Sequence, residues 1–213
     1  MKAFIFDLDG VLVFTDQFHY QAWKQIADRL GIAFDEQINN RLRGVSRADS
    51  LEIILEGYHG APLSEAEKQA LMEEKNEIYR GYLAEMTPDS VDASVRETLQ
   101  ELRRQGHKLA VGSSSRNTKY ILKQTDLTQQ FDAISDGTNI THSKPHPEVF
   151  LKAAQYLGEQ PANCIVVEDA EAGIDAAKAA GMTAVGIGDA ARYERTDIRI
   201  TTLRALLNVQ NTL

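Results

Sequence analysis

The stretch Ala3-Phe4-Ile5-Phe6-Asp7-Leu8-Asp9-Gly10-Val11 decides the reading of this chain. Four apolar residues in a row predict a strand buried on both faces rather than one with a wet side. The run stops at two carboxylates one residue apart, Asp7 and Asp9, and Gly10 then lets the chain turn away with either sign of φ. Open α/β sheets place their chemistry at the carboxyl ends of buried parallel strands. One acid can attack or ligate there, and the other, projecting to the same side, can handle a proton.

The rest of the chain alternates in two styles. From about 15 to 86 there is no convincing strand pattern. Ala22, Trp23, Ile26, Ala27 and Leu30 fall at helical spacing ahead of Gly31. A second helix is predicted from Ser46, with Asp49 as its capping-box partner. A third is predicted from Ser64 with Glu67 in the same relation, running to about Met86. From 92 onward helix and strand alternate: a helix over 92–105, a strand over 108–112 ending in three serines, a helix over 116–125, and a short strand over 133–135. Pro147 is expected in the first turn of a helix that stops at Gly158. A strand over 164–167 then runs into Glu168-Asp169, a helix closes at Gly181, and a strand covers 183–187. The expected fold is α/β, a doubly wound parallel sheet (a Rossmann-like core, 1–14 and 88–213) with an α-helical cap domain, 15–87, inserted after the first strand.

Composition narrows the function classes. With 213 residues, 43% hydrophobic and 25% charged, the chain reads as globular, and its net charge of −8 offers no general attraction for nucleic acid or an anionic membrane. An anionic substrate would need a local basic pocket. The single cysteine, Cys164, excludes an internal disulfide framework and reads as a core-strand residue. No segment approaches the roughly 20 apolar residues of a membrane span. A cytoplasmic monomer is the expectation.

Three strand ends carry polar groups: Asp7 and Asp9, the serines 113–115, and Glu168 with Asp169. Lys144 lies before a helix between the last two. Taken singly, each has a plainer reading: a solvated turn, a helix cap, an exposed lysine, an acidic first turn. On one sheet edge together they form a phosphoryl-transfer inventory. The carboxylates are hard ligands suited to Mg²⁺, Ser113 and nearby N–H groups suit a phosphate oxygen, and Lys144 supplies compact positive charge. Asp7 would be the nucleophile. In the helical block, Arg43 and Arg47 flank a helix N-terminus, where a cation is disfavoured unless an anion docks among them. Lys75 lies among Glu73, Glu74 and Glu77, where an ordinary surface ion pair is the plainer reading, and Trp23 is placed for packing. His59, His107, His142 and His146 show no metal-ligand spacing.

The segments FDLDGVL, GSSSRN, SKPHPEVF and VEDAEAGIDAAKAAG resemble the four motifs of the haloacid dehalogenase superfamily, and the likeness covers essentially the whole chain. Within it, TDQFHYQAWKQIA, RLRGVSRADSLEIIL and EEKNEIYRGYL resemble the β-phosphoglucomutases. The resemblance implies a phosphomutase that interconverts β-glucose 1-phosphate and glucose 6-phosphate with Mg²⁺, through an aspartyl-phosphate and β-glucose 1,6-bisphosphate. It makes Asp7 the phosphorylated nucleophile and Asp9 the acid/base, whose carbonyl also reaches the metal. It assigns Glu168 and Asp169 to the metal, and Ser113 and Lys144 to the transferring phosphoryl group. Ser115, Arg116 and Asn117 would hold the other phosphate. Trp23, Gly44, Val45, Arg47, Ser50 and Lys75 would touch the sugar phosphate from the cap, with Thr15 and His19 in the hinge. Alternatives are a sugar-phosphate phosphatase, a phosphonatase using Lys24 or Lys75, and a non-catalytic sensor. The chain departs from the family at Asp92-Ala93-Ser94, where an apolar residue and Pro-Gly are usual, and at His142 and His146, where Lys and Asp are more common.

Overall fold

In the computed structural model, which describes residues 2–209, the opening run forms strand β1 (Ala3–Phe6) with every side chain buried. Residues 1 and 210–213, at the outer limits of the expected core, lie outside the described residues. The later strands are β2 (Lys108–Gly112), β3 (Ala133–Ser135), β4 (Cys164–Glu168), β5 (Thr183–Gly186) and β6 (Ile198–Arg199). They form one parallel sheet of order β3-β2-β1-β4-β5-β6. β1 pairs with β2 on one side and β4 on the other, so the chain winds outward in both directions from it. A strand in that position has no wet face, which is why four consecutive residues are apolar.

Alternation within β1 divides the core. Phe4 and Phe6 face the layer that holds Val95, Leu99 and Leu102 of helix α5 (Ala93–Arg104) and Ile121 and Leu122 of α6 (Thr118–Gln124). Here helices are numbered in chain order, α1–α4 lying in the insert. Ala3 and Ile5 face Val149, Phe150 and Ala153 of α7 (Glu148–Leu157) and Ile174 and Ala177 of α8 (Glu171–Ala179). Cys164 is free and buried in β4, and burial pushes its thiol up to about 11, as suits a packing residue.

The insert after β1 contains α1 (Asp16–Arg29), α2 (Glu36–Asn40), α3 (Arg47–Leu55) and α4 (Glu65–Leu83). Trp23, Ile26, Phe34, Leu51, Ile54 and Leu71 form a hydrophobic cluster of their own, while Ala22, Tyr79 and Leu83 join the sheet-side core. The roots of α1 and α4 are thereby anchored beside the sheet.

Four differences from the sequence reading have local causes. The reading had no α2: this one-turn helix is mostly polar and leaves no apolar period, and it starts because Asp35 accepts from the Ile38 N–H at 2.9 Å. Ser64 and Glu67 form the full capping box, but at α3 the Asp49 carboxylate takes the Ser46 hydroxyl at 2.6 Å instead of returning to the Ser46 N–H, since Asp is one methylene shorter than Glu. Pro147 sits at the N-cap of α7, one position before the expected first turn. β6 has two residues, too few to show a period. At the departure from Pro-Gly, Asp92 caps α5 by accepting from the Ser94 N–H at 2.8 Å.

Candidate active site

The end of β1 sets the floor of the site. Asp7 N–H donates to the Val167 carbonyl at 2.9 Å, so its carboxyl emerges where the sheet stops. Three residues on, Gly10 turns the chain with φ +86°, and a Cβ there would fall 2.0 Å from Asp169 Oδ2. Glycine is required both by the turn and by the close approach of that acid. Glu168 ends β4, and its Oε2 accepts the N–H groups of Asp169 and Ala170 at 3.1 and 3.3 Å. A Cβ on Gly173 of α8 would meet the Glu168 carboxyl carbon at 1.9 Å, so a second glycine makes room for the buried acid.

Asp7, Glu168 and Asp169 thus converge, with one ligand atom from each within 4.8 Å of the others. Buried Lys144 donates to both Asp7 and Glu168. Although burial works against its ammonium, those two carboxylates hold its proton well above the ordinary lysine range. One ammonium against three acids leaves two negative charges uncompensated if all ionise. Burial then drives Glu168 and Asp169 upward, with Asp7 adding to both. The donors are all carboxylate oxygens, without imidazole or thiolate, and the missing charge is that of a divalent cation. This set fits Mg²⁺.

A raised carboxyl keeps its proton in mild acid, and a cation must displace that proton. The rise in thermal midpoint caused by Mg²⁺ is therefore expected to be larger at about pH 7.5 than at about pH 5. Scanning calorimetry with and without Mg²⁺ checks this, and equal gains at both pH values would contradict it.

Asp9 stands beside this centre, half-buried, with its carboxyl raised to about 7, first by burial and second by Asp7. The Thr15 hydroxyl donates to Asp9 Oδ1, and the Tyr79 hydroxyl of α4 donates to Thr15 Oγ1 at 3.2 Å. Burial holds the Tyr79 phenol well above its usual range, so it stays a donor. This relay runs from the helical insert to the acid. Beside it the Lys75 and His19 side chains meet at 2.8 Å, and Lys75 lies over the Trp23 and Tyr79 rings. Burial, with Arg47 second, lowers Lys75 to about 7, and burial with Lys75 lowers His19 as well. Lys75 is thus a buried cavity residue rather than the surface ion-pair partner that its glutamate neighbours suggest.

The far end of the site is basic and joins insert to core. Arg47 Nη2 donates to Asn76 Oδ1 at 2.8 Å, and the same oxygen accepts from Asn117 Nδ2 at 2.9 Å. Burial lowers the Arg47 guanidinium, and the charge of Arg116 lowers it further, so two cations from different parts of the chain face one another here. Ser115 Oγ accepts the Asn117 N–H at 3.2 Å, and Ser113 Oγ accepts the Ser115 N–H at 3.1 Å, which fixes the serine turn. Arg43 does otherwise than its helix-start position suggests: its guanidinium is held by Asp16 at 3.2 Å and Asp189 at 3.1 Å, latching insert to core. Nearby, Ser143 Oγ donates to Asp49 Oδ2 at 3.4 Å.

Between the acidic floor and the basic end lies a cavity of about 1340 Å³. Asp7, Asp9, His19, Trp23, Gly44, Val45, Arg47, Ser50, Lys75, Ser113, Ser115, Arg116, Asn117, Lys144 and Asp169 all line it. Thr15 and Glu168 stand behind the wall, acting on Asp9 and Lys144. Lys24 is turned to solvent in an ion pair with Asp28, away from the site. The sequence reading missed Asn76, Tyr79 and Asp189. Asn76 is one residue from Lys75 and Tyr79 four, so a helical-face argument from Lys75 would have found Tyr79. His142 and His146, read in the sequence as having no metal-ligand spacing, come together with Glu148 at a turn, with ligand atoms within 4.8 Å.

The fold is that of the haloacid dehalogenase-like hydrolases; that family's model matches residues 1–181, and the chain belongs to the family. It is 44% identical over 189 residues to the beta-phosphoglucomutase of Bacillus subtilis, covering 88% of this chain and 84% of that protein. It is also 33% identical over 185 residues to a fructose-1-phosphate phosphatase of Escherichia coli, covering 86% and 94%. The crystal structure of a beta-phosphoglucomutase from Clostridium difficile matches with a TM-score of 0.93 at 36% identity, covering 99% of this chain and 96% of that one. Among the described residues, no helix is long and apolar enough to cross a membrane.

Proposed function

We propose that this protein is a β-phosphoglucomutase, interconverting β-D-glucose 1-phosphate and D-glucose 6-phosphate, with residues 15–87 as its lid and a cytoplasmic monomer as its working form. The observation that carries the reading is the cavity's second pole. Arg47 and Asn76 of the insert meet Arg116 and Asn117 of the core in the cavity that the acids also line. A hydrolase acting on one phosphate needs the acidic floor alone, whereas a mutase must grip a second phosphate while the first reacts. The names of the mutase relatives support the same choice.

In this reading Asp7 carries the phosphoryl group as an acyl phosphate. The bound β-glucose 1-phosphate is held by its own phosphate at Ser115, Arg116, Asn117 and Arg47, with its C6 hydroxyl toward Asp7. Asp9 takes the hydroxyl proton as the oxygen attacks phosphorus and the bond to the Asp7 carboxylate breaks, giving β-glucose 1,6-bisphosphate. After the bisphosphate turns over, Asp7 attacks the C1 phosphoryl group, Asp9 protonates the leaving oxygen, and glucose 6-phosphate departs. Lys144 and Ser113 hold the equatorial oxygens during transfer. Mg²⁺, held by Asp7, Glu168, Asp169 and the Asp9 carbonyl, would supply charge neutralisation between nucleophile and phosphate. Trp23, Gly44, Val45, Ser50 and Lys75 shape the sugar side of the cavity and exclude water that would drain the phosphoenzyme. The Tyr79–Thr15–Asp9 relay and His19 tie lid position to the acid/base.

The test supplies β-glucose 1-phosphate, Mg²⁺ and a trace of the bisphosphate. Glucose 6-phosphate should form without stoichiometric inorganic phosphate, and stoichiometric phosphate would instead establish the phosphatase. Arg47→Ala removes a charge-assisted contact of about 1.5–3 kcal/mol, so mutase kcat/KM should fall roughly 10–150-fold. Residual hydrolysis of a monophosphate ester should change far less. Equal losses in the two assays would remove Arg47 from the second phosphate site.

A further inference from the structure

At the rim of the cavity, away from the acidic centre, a different set of donors comes together. His142 and His146 flank the turn that carries Ser143 and Lys144, and Glu148 opens α7 directly after it. One ligand atom from each of the three lies within 4.8 Å of the other two. The two imidazole rings are exposed, 4.6 Å apart between centroids, and both line the cavity. We propose that His142, His146 and Glu148 form a binding site for a divalent transition metal of the Zn²⁺ class, distinct from the Asp7, Glu168 and Asp169 centre.

The donor chemistry separates the two sites. Imidazole nitrogens suit Zn²⁺, Ni²⁺ and Cu²⁺, whereas carboxylate oxygens alone suit Mg²⁺. Two histidines and one carboxylate make a tetrahedral set with one position free. The separation of His142 Nδ1 from Glu148 Oε2 is 3.2 Å, close to the edge of about 3.3 Å that a tetrahedron with bonds near 2.05 Å requires. His146 Nδ1 presents a lone pair, now used only by the Glu148 N–H at 3.3 Å. Glu148 is fixed in advance: its Oε2 accepts the Thr141 and His142 N–H groups at 3.1 and 2.8 Å, and its Oε1 pairs with Lys152 at 2.8 Å. Lys152, followed by the His142 N–H, holds the carboxyl down to about 2, so it is ionised wherever the imidazoles are neutral. The Lys152 ammonium opposes a cation but pairs with Oε1; Oε2 faces His142 Nδ1, and a metal there would share it with the Thr141 and His142 N–H groups. Binding at His142 Nδ1 uses the neutral ring with its proton on Nε2, so that the Nδ1 lone pair is free for the metal.

The placement has a consequence for the active site. The two rings bracket Lys144, and the same turn touches the lid through Ser143 and Asp49. A cation bound here would tie down the turn that supplies the Lys144 charge, with its free position open to water or to an anion in the cavity.

Equilibrium dialysis of the full chain against Zn²⁺ in a large excess of Mg²⁺ tests the site, with Co²⁺ as the spectroscopic probe. One Zn²⁺ per chain should remain bound, and Co²⁺ should give the intense visible bands of a four- or five-coordinate nitrogen–oxygen site. In the His142→Ala/His146→Ala double variant the Zn²⁺ affinity should fall by more than roughly 100-fold, since even outer-shell partners account for 10–100-fold. Its Mg²⁺-dependent melting shift should match wild type, which shows that the fold and the acidic centre are intact. If the double variant does not fold, His142→Asn, which changes one exposed ring, should by itself remove the Co²⁺ bands. Zn²⁺ displaced by excess Mg²⁺, or retained undiminished by these variants, would overturn the site. None of these readouts depends on which sugar phosphate is turned over.

Discussion

Asp7→Asn is expected to abolish both mutase turnover and phosphorylation of the protein. The carboxylate at the end of β1 is the group that the reading requires to attack phosphorus, and an amide oxygen is a far poorer nucleophile. The replacement is nearly isosteric, and the backbone bond from Asp7 N–H to Val167 is untouched, so the fold should survive. Removing a nucleophile from a set that works as a unit costs at least about 10⁴-fold in kcat. Two measurements check this: glucose 6-phosphate formation, and the intact mass of the protein after exposure to the bisphosphate. Wild type should gain one phosphoryl group and the variant none. A variant that still gained one would place the nucleophile elsewhere.

A carboxylate so central could be located from sequence because the signals around it are abrupt. An apolar run that stops at an acid marks a strand end, and this happens at Phe6-Asp7 and again at Val167-Glu168. Parallel pairing then forces both ends to one edge, and β1 next to β4 brings Asp7 and Glu168 to the same ammonium. The Ser64–Glu67 box and the glycine after α1 likewise act through neighbours in the chain, so they could be read directly.

What was illegible depends on partners that the chain brings from far away. Tyr79 shares a face of α4 with Lys75, so its position was within reach of periodicity, but its role comes from a hydroxyl that finds Thr15, 64 residues earlier. Arg43 reads as an anion ligand until Asp189, 146 residues later, takes its guanidinium. Lys75 stands among glutamates in sequence, yet the helix turns it inward over Trp23 and away from them. Periodicity states which face a residue shares and says nothing of what that face meets. The two histidines stand four apart, a ligand spacing on a helix, but residues 142–147 lie outside any helix, so the turn sets where their rings meet Glu148.

Asp9→Asn tests the second half of the mechanism, and its effect is separable from that of Asp7. The amide keeps the size of the side chain and can still accept from Thr15, but it cannot exchange a proton. Loss of general acid/base catalysis is worth about 10²–10⁴ in kcat. Mg²⁺ binding should be largely retained, because the contribution assigned to Asp9 there is its backbone carbonyl. Calorimetric Mg²⁺ titration and single-turnover transfer from phosphorylated Asp7 to sugar separate the two effects, and a loss below tenfold in transfer would remove Asp9 from the proton path. The pH profile carries the same information with a sign. Acting as base, Asp9 must be ionised, and burial beside Asp7 raises its carboxyl to about 7, so kcat/KM for β-glucose 1-phosphate should climb through about pH 7 and then level. The Asn variant should lack that limb. The Thr15 hydrogen bond favours the ionised form, so Thr15→Val should move the limb to higher pH in an enzyme whose acid/base is otherwise intact. A limb that stays in place would mean that Thr15, and with it the link from Tyr79 of the lid, does not govern when Asp9 gives up its proton.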